Sequence, residues 1–133
     1  MIEKAINWLN YIIGKVPGIL AQISEEKMSE KPSPDKWSKK EIIGHLIDSA
    51  TNNQQRFVRG QFEVIPEISY DQNKWNQYNF YQQIASNQII TFWSIYNKQL
   101  IEILKRMPPA NLKKQIKVGE KIFTIEFLIT DYV

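Results

Sequence analysis

One histidine, His45, stands among polar residues at helical spacing, and this stretch has the residue types best suited to chemistry. At about 100° per residue, the side chains within roughly 60° of His45 are polar; they are Glu41, Asp48, Ser49, Asn52, Arg56 and Arg59. An imidazole can bind a divalent metal or transfer protons near neutral pH. A carboxylate such as Asp48 could orient its ring, and Arg56 could bind an anionic group of a substrate.

This polar face has two interpretations, and the sequence leaves both open. It is either a solvated outer surface or the wall of a pocket. In the second case His45 is a metal ligand or an acid-base group, and Asp48, Ser49, Asn52 and Arg56 support it or contact substrate. The pocket is favoured by short and planar polar groups at positions where a solvated helix usually carries Lys and Glu.

Other catalytic chemistries find no support in the sequence. Cysteine is absent, which excludes thiolate ligands, cysteine nucleophiles and a disulfide framework. No phosphate-binding glycine loop and no H-E-x-x-H zinc motif occur. A Ser-His-Asp triad through His45 is formally possible, but the G-x-S-x-G turn that would present its serine is missing.

The helix that carries His45 is predicted to run from Lys39 to about Arg59. Ser38 stands three residues before Glu41, which is the spacing of a capping box at a helix start. Gly60 is typical of a helix end. The side opposite His45 is apolar and would face the core; it carries Ile43, Leu46, Ile47, Ala50 and Phe57.

Three further amphipathic helices are predicted. Apolar residues recur at alternating steps of four and three from Ile2 to Ile23, with a kink or break expected at Pro17. The same steps occur from Ile89 to Met107, before two prolines. Thr124 can cap a fourth helix. In the connector between the first of these helices and the His45 helix, Ser24 can cap a single turn over residues 25–29.

The connections complete the predicted architecture, an all-α four-helix bundle in a single domain over residues 1–133. Residues 60–80 form a connection long enough to cross the bundle and leave the helices on either side parallel. Its aromatic residues are expected to pack over one end of the bundle; they are Trp75, Tyr78, Phe80 and Tyr81. A short hairpin or an extended loop is predicted around Gly119.

The fourth helix is short for such a bundle. From Thr124 to Val133 it would measure about 15 Å, against roughly 30 Å for the His45 helix. We therefore expect either that the native chain continues past Val133 or that another subunit covers the gap, and we favour the continuing chain.

Composition indicates an ordinary globular protein. The 133 residues are 43% hydrophobic and 23% charged, with a formal net charge of +3. Acids and bases alternate along the chain, which argues against nucleic-acid binding, and no apolar run is long enough to span a membrane. The N-terminus lacks a signal-peptide pattern, so we expect a cytoplasmic protein.

Several motifs in the chain resemble the DinB/YfiT-like superfamily of metal-dependent four-helix-bundle enzymes. A proline-containing loop leads to a Trp-Ser helix start, and a Gly-His-Leu sequence follows with an acid three residues after the histidine. The stretches that carry the likeness are Lys31-Pro32-Ser33-Pro34-Asp35-Lys36-Trp37-Ser38, Glu41-Ile42-Ile43-Gly44-His45-Leu46-Ile47-Asp48-Ser49, residues 52–57, residues 70–75 and residues 125–133.

The resemblance implies a bundle of up-down-down-up order, often dimeric, with a Zn or Ni ion held by three histidines. One of these maps onto His45. The other two belong to the last helix of the family and have no counterpart among these residues, so the ligand set is incomplete here. Characterised members include transferases and an isomerase that use a low-molecular-weight thiol, and hydrolase chemistry is also implied.

Two hypotheses about function follow. In the first, the protein is a metal-dependent transferase or hydrolase with His45 as a metal ligand and a small-molecule substrate. In the second, it is a metal-free bundle that acts in dimerisation or partner binding without catalysis.

Overall fold

The computed structural model describes residues 2–133 and contains six α-helices and one two-stranded sheet. The helices are α1 (Ile2–Leu20), α2 (Glu25–Ser29), α3 (Lys39–Arg59), α4 (Gln72–Tyr78), α5 (Ser86–Arg106) and α6 (Ile125–Tyr132). Strands β1 (Gln115–Val118) and β2 (Lys121–Thr124) form the sheet, and short 3₁₀ turns span Tyr81–Gln83 and Pro109–Lys113. No described helix is long and apolar enough to cross a membrane.

Four of the helices enclose one hydrophobic core, in agreement with the predicted four-helix bundle. α5 and α6 each contact both α1 and α3, so their apolar faces meet in the middle. The predicted steps of four and three place Ile2, Ile6, Leu9 and Ile13 in this core. α1 continues through Pro17 to Leu20, so the helix is not broken there.

Both α3 and α5 begin at the same end of the bundle. The Glu25 carboxylate in α2 accepts a hydrogen bond of 2.7 Å from Lys40 Nζ at the start of α3. Its other oxygen accepts one of 3.1 Å from the Ser86 amide at the start of α5. The up-down-down-up order stays a prediction, and this shared end is compatible with it.

The bounds predicted for the His45 helix are those of α3. Ser38 Oγ accepts from the Glu41 amide at 3.2 Å, and Glu41 Oε1 accepts from the Ser38 amide at 3.0 Å. These two bonds are the predicted capping box. α3 ends at Arg59, and Gly60 follows as its C-cap.

The apolar side of α3 is buried as predicted except at Leu46, and part of the polar side is buried as well. Leu46, assigned to the core, is 42% exposed, whereas Asp48 and Asn52 are 1% and 2% exposed and Arg56 is 8% exposed. The reason is that the crossover, residues 60–85, packs on the polar side of α3. The interpretation of that side as a solvated surface is therefore wrong for these three residues.

The crossover also contains structure that the sequence pattern did not predict. α4 lies within it, in place of an irregular connection. Of the aromatic residues expected to pack on the bundle, Tyr81 is buried, but Tyr78 and Phe80 are 65% and 56% exposed. The expectation that these aromatics pack against the bundle is therefore correct for Tyr81 and wrong for Tyr78 and Phe80.

The C-terminal part of the chain matches its predicted elements. β1 and β2 pair antiparallel with Val118 opposite Lys121, and Gly119 takes the left-handed conformation that the tight turn requires (φ 63°). Thr124 caps α6 by accepting from the Phe127 amide at 3.1 Å. Within the described residues α6 is eight residues long.

Candidate functional site

His45 lies on α3 against the aromatic ring of Trp37, which precedes the helix. The two ring centroids are 5.1 Å apart and the planes are inclined by 33°. The imidazole is half-buried, and its Nδ1 atom is fully buried without a hydrogen-bond partner. Nε2 is therefore the ring nitrogen that remains to bind an external group.

Asp48, one turn further along α3, is held by the crossover. Its Oδ1 atom accepts hydrogen bonds from the Tyr81 hydroxyl at 2.5 Å and from Asn79 Nδ2 at 2.9 Å. Its Oδ2 atom is buried and has no partner. Burial raises the pKa of this carboxyl, and the bond from Tyr81, the nearby His45 and the bond from Asn79 oppose that rise.

His45 and Asp48 thus interact electrostatically, and each has one buried polar atom without a partner. Buried polar atoms are nearly always paired, so two unpaired atoms on adjacent residues of one helix face indicate a functional arrangement. A carboxylate that accepts from Nδ1 fixes the tautomer of a histidine and presents Nε2 to a ligand. Here Nδ1 and Asp48 Oδ2 are both without a hydrogen-bond partner, so Asp48 acts on His45 through its charge. The sequence predicted this pair correctly as neighbours on one face.

The close approach of Tyr81 to α3 depends on Gly44. A β-carbon at this position would come within 3.0 Å of three carbons of the Tyr81 ring. Glycine in the middle of a helix is unfavourable unless another group needs the space. Here the Tyr81 ring fills that space and delivers its hydroxyl to Asp48.

The remaining predicted site residues have structural partners. Asn52 Nδ2 donates to the Asp48 carbonyl at 2.9 Å within α3. Arg56 donates from Nε and Nη2 to the Ile68 carbonyl at 3.1 and 3.0 Å, and from Nη1 to Asn53 Oδ1 at 3.3 Å. The guanidinium therefore holds the crossover against α3. Its burial lowers the pKa of Arg56.

Ser49 lies on α3 between the His45–Asp48 pair and Arg56. Its hydroxyl accepts from Asn53 Nδ2 at 3.2 Å and also takes part in a hydrogen bond that lowers the pKa of Tyr70, against the larger raising effect of burial. The structure therefore brings His45 and Asp48 together and places Ser49 and Arg56 towards the Ile68–Tyr70 part of the crossover.

Three residues of this site, Trp37, Asn79 and Tyr81, were not predicted from the sequence as site residues. Only one signal could have indicated them, namely a glycine at position 44 inside a helix, which suggests close approach of another segment. The partner itself cannot be read from the sequence pattern, because Tyr81 lies 33 positions away from Asp48.

The described residues do not form a complete metal site. Among residues 2–133 there is no group of three or more His, Cys, Asp or Glu side chains that could hold a metal ion. Protein zinc sites use three or four protein ligands, and His45 supplies one. His45 with Asp48 is suited to be one ligand and the group that orients it, but not to be the whole site.

Comparison with family models finds no match to this sequence, and neither does comparison with curated proteins. Comparison of the fold with solved structures finds YfiT from Bacillus subtilis, described as "a probable metal-dependent hydrolase with an unusual four-helix bundle topology". The TM-score is 0.87 at 18% sequence identity, and the match covers 98% of this chain and 76% of that chain.

At this identity the match establishes the fold and leaves activity open. The architecture implied by the sequence motifs around His45 is thereby confirmed at the level of the four-helix bundle. This chain has the fold of YfiT, as its resemblance to the DinB/YfiT-like superfamily implied.

Proposed function

We propose that the protein is a metal-dependent enzyme of hydrolase type, with His45 as one ligand of a divalent metal ion. The proposal is supported by the fold shared with YfiT, which is itself described as metal-dependent. The observation that carries it is the His45–Asp48 pair on one face of α3, whose two side chains interact electrostatically and each hold one buried polar atom without a partner, Nδ1 and Oδ2. The family resemblance suggests Zn or Ni as the metal. It also suggests a second reaction at the same site, group transfer with a low-molecular-weight thiol.

Further ligands are required, since a protein zinc site uses three or four and His45 supplies one. α6 packs at the other end of α3. Ile125 at its start contacts Gly60, and the Tyr132 ring near its end lies 6.2 Å from that of Phe57. Both contacts are about three to four turns of α3 from His45.

The test is metal binding by the purified protein and two variants on α3. After loading with Zn²⁺ or Ni²⁺ and dialysis, the wild-type protein is expected to retain metal and His45→Ala to retain at least tenfold less, because losing even the outer-shell partner of a ligand costs about 10–100-fold in metal affinity. Leu46→Ala is the matched control, because Leu46 is exposed on the same helix. Equal metal content in the wild-type protein and His45→Ala would refute the ligand role.

A second candidate function, a metal-free dimerisation module, is favoured by an apolar groove between α1 and α6. The groove has a volume of about 830 Å³ and includes Ala5, Trp8 and Val133. Trp8 stacks on Tyr11 with ring centroids 5.4 Å apart, although each residue is 54% exposed. Exposed aromatic groups of this kind are common at protein interfaces.

Sedimentation velocity separates this candidate from a monomeric enzyme. If a second copy covers the groove, the metal-free protein sediments as a dimer at low micromolar concentration and Trp8→Ala sediments as a monomer. A wild-type monomer under these conditions would exclude the dimerisation module. Metal retention that depends on His45 would support the enzyme whatever the oligomeric state.

A further inference from the structure

A second cavity lies on the other side of Trp37, between the loop before α3 and the crossover. Its volume is about 300 Å³, at the lower limit for a small-molecule site. We call it the crossover pocket; its lining includes Trp37, Glu41, Asn76, Phe80 and Tyr81, together with Lys31 and Asp35. His45 is not part of its lining.

Two polar residues of the crossover pocket, Asn76 and Glu41, each carry a hydrogen-bond acceptor. Asn76 is 3% exposed, and its Nδ2 donates to the Glu41 carbonyl at 2.8 Å. That bond fixes the amide, so Oδ1 must be the acceptor, and it is buried without a partner. The Glu41 carboxylate also lines the pocket, with its side chain only 13% exposed. A ligand that satisfies both groups must donate hydrogen bonds.

Phe80 is held in a strained conformation at this pocket. Its φ of 57° is in the left-handed region, which is unfavourable for a bulky side chain. The strain does not serve burial, because Phe80 is 56% exposed. Strained backbone of this kind clusters at binding sites. Here it places Phe80 in the lining of the pocket, beside Trp37 and Tyr81.

The charge of the pocket favours a cation. Two carboxylates, Asp35 and Glu41, line it together with one cationic side chain, Lys31. Lys31 Nζ lies 3.5 Å from Glu41 Oε1, and the lysine side chain is 36% exposed. An exposed ion pair of this type is weak and can be displaced by a ligand.

We propose that the crossover pocket binds the primary ammonium group of a small organic molecule with an apolar body. The ammonium group donates to Glu41 and to Asn76 Oδ1, which gives charge-assisted hydrogen bonds, while the aromatic rings of Trp37 and Phe80 contact the cation and the apolar body. The proposed contacts do not include His45 or Asp48, although Trp37 and Tyr81 line this pocket and also contact those two residues.

The test is a titration of ¹⁵N-labelled protein with n-hexylammonium in the presence of a chelator, followed by NMR. We expect saturable shifts of the Trp37 indole and Asn76 side-chain amide signals. Glu41→Gln is expected to weaken binding about tenfold, because a charged acceptor becomes neutral. The fold should persist, since glutamine also completes a capping box. Glu120→Gln, in the hairpin turn, is the matched control.

Phe80→Gly provides an independent arm of the same experiment. Glycine adopts the left-handed conformation without strain, so this variant is expected to be at least as stable as the wild-type protein. It should nevertheless bind n-hexylammonium roughly two- to fivefold more weakly, through loss of the aromatic contact.

Three results would overturn the proposal. They are equal binding of n-hexanol and n-hexylammonium, wild-type affinity in Glu41→Gln, and shifts that occur away from Trp37 and Asn76. Because a chelator is present throughout, any of these results would leave the metal-ligand role of His45 unaffected.

Discussion

Single carboxylates connect the separate segments of this protein. Asp48 accepts from two residues of the crossover, and Glu25 accepts from the first turns of α3 and α5. Each carboxylate therefore holds together elements that are distant in sequence, as the apolar core does for the whole bundle. The two differ in their environment, because Asp48 is buried and Glu25 is largely open to solvent.

At the residue scale, Glu25→Gln should remove a pH-dependent part of the stability. The bond from Lys40, and then the bond from Ser86, lower the pKa of Glu25 from 4.5 to about 2. The pKa is lowered in the folded state, so the stabilisation is complete above the unfolded value and is lost as pH falls through the folded value.

The measurement is urea unfolding at a series of pH values. The wild-type protein should exceed Glu25→Gln in free energy of unfolding above pH about 4.5, and the difference should close towards pH about 2. Glu120→Gln should follow the wild-type curve. A difference that stays constant over this range would contradict the assignment.

Local residue patterns were readable from the sequence, and distant partners were not. Ser24, Ser38 and Thr124 all cap helices as predicted, because a cap depends on residues within one turn of each other. The partners of Asp48 and Arg56 lie in the crossover. No spacing rule connects them to α3, so neither the burial of Asp48 nor the structural role of Arg56 was predicted.

At the scale of elements, two helical glycines should respond in opposite directions to alanine. Gly14 in α1 has open space where a β-carbon would be added, so Gly14→Ala should stabilise the protein by about 0.5–1 kcal/mol. Gly44→Ala would clash with the Tyr81 ring. Its cost of about 1–3 kcal/mol outweighs the same gain in helix propensity.

Thermal or urea unfolding of the two variants measures this contrast. A stabilised Gly44→Ala would mean that the crossover moves away from α3 at little cost. The double variant Gly44→Ala/Tyr81→Ala should recover the helix-propensity gain relative to Tyr81→Ala, since the clash is then absent.

Which helices were predictable depended on what each of them buries. α1, α3 and α5 have apolar residues at helical spacing, and their existence followed from that pattern. α4 was missed because the residue it buries is Asn76, and the rest of its sequence is polar or aromatic without a period. A helix that packs through a polar residue leaves no hydrophobic signal.

At the scale of the whole molecule, Arg56 keeps the crossover attached to the bundle. Arg56→Lys should cost about 1–3 kcal/mol, because a single ammonium group cannot replace a guanidinium that donates through three nitrogens. The effect should be concentrated in the crossover, because hydrogen bonds there fix Ile68. Its carbonyl accepts from the Arg56 guanidinium, and its backbone N–H donates to the Lys117 carbonyl.

Native-state hydrogen exchange checks this prediction. The Ile68 amide should exchange faster in Arg56→Lys, while amides in the middle of α5 keep their protection. Arg106→Lys is the control, because Arg106 pairs with Glu102 on an exposed surface, where such pairs contribute little. Uniformly faster exchange throughout the bundle would indicate global destabilisation and would contradict a local clamp.

The pairing of His45 with Trp37 makes the candidate site directly observable by spectroscopy. The chain contains one histidine, so its imidazole gives a single pair of carbon-bound proton resonances. The indole ring 5.1 Å away displaces these resonances by its ring current. Protonation, metal occupancy and any repositioning of Trp37 can thus be distinguished in a one-dimensional proton spectrum, without isotope labelling or resonance assignment.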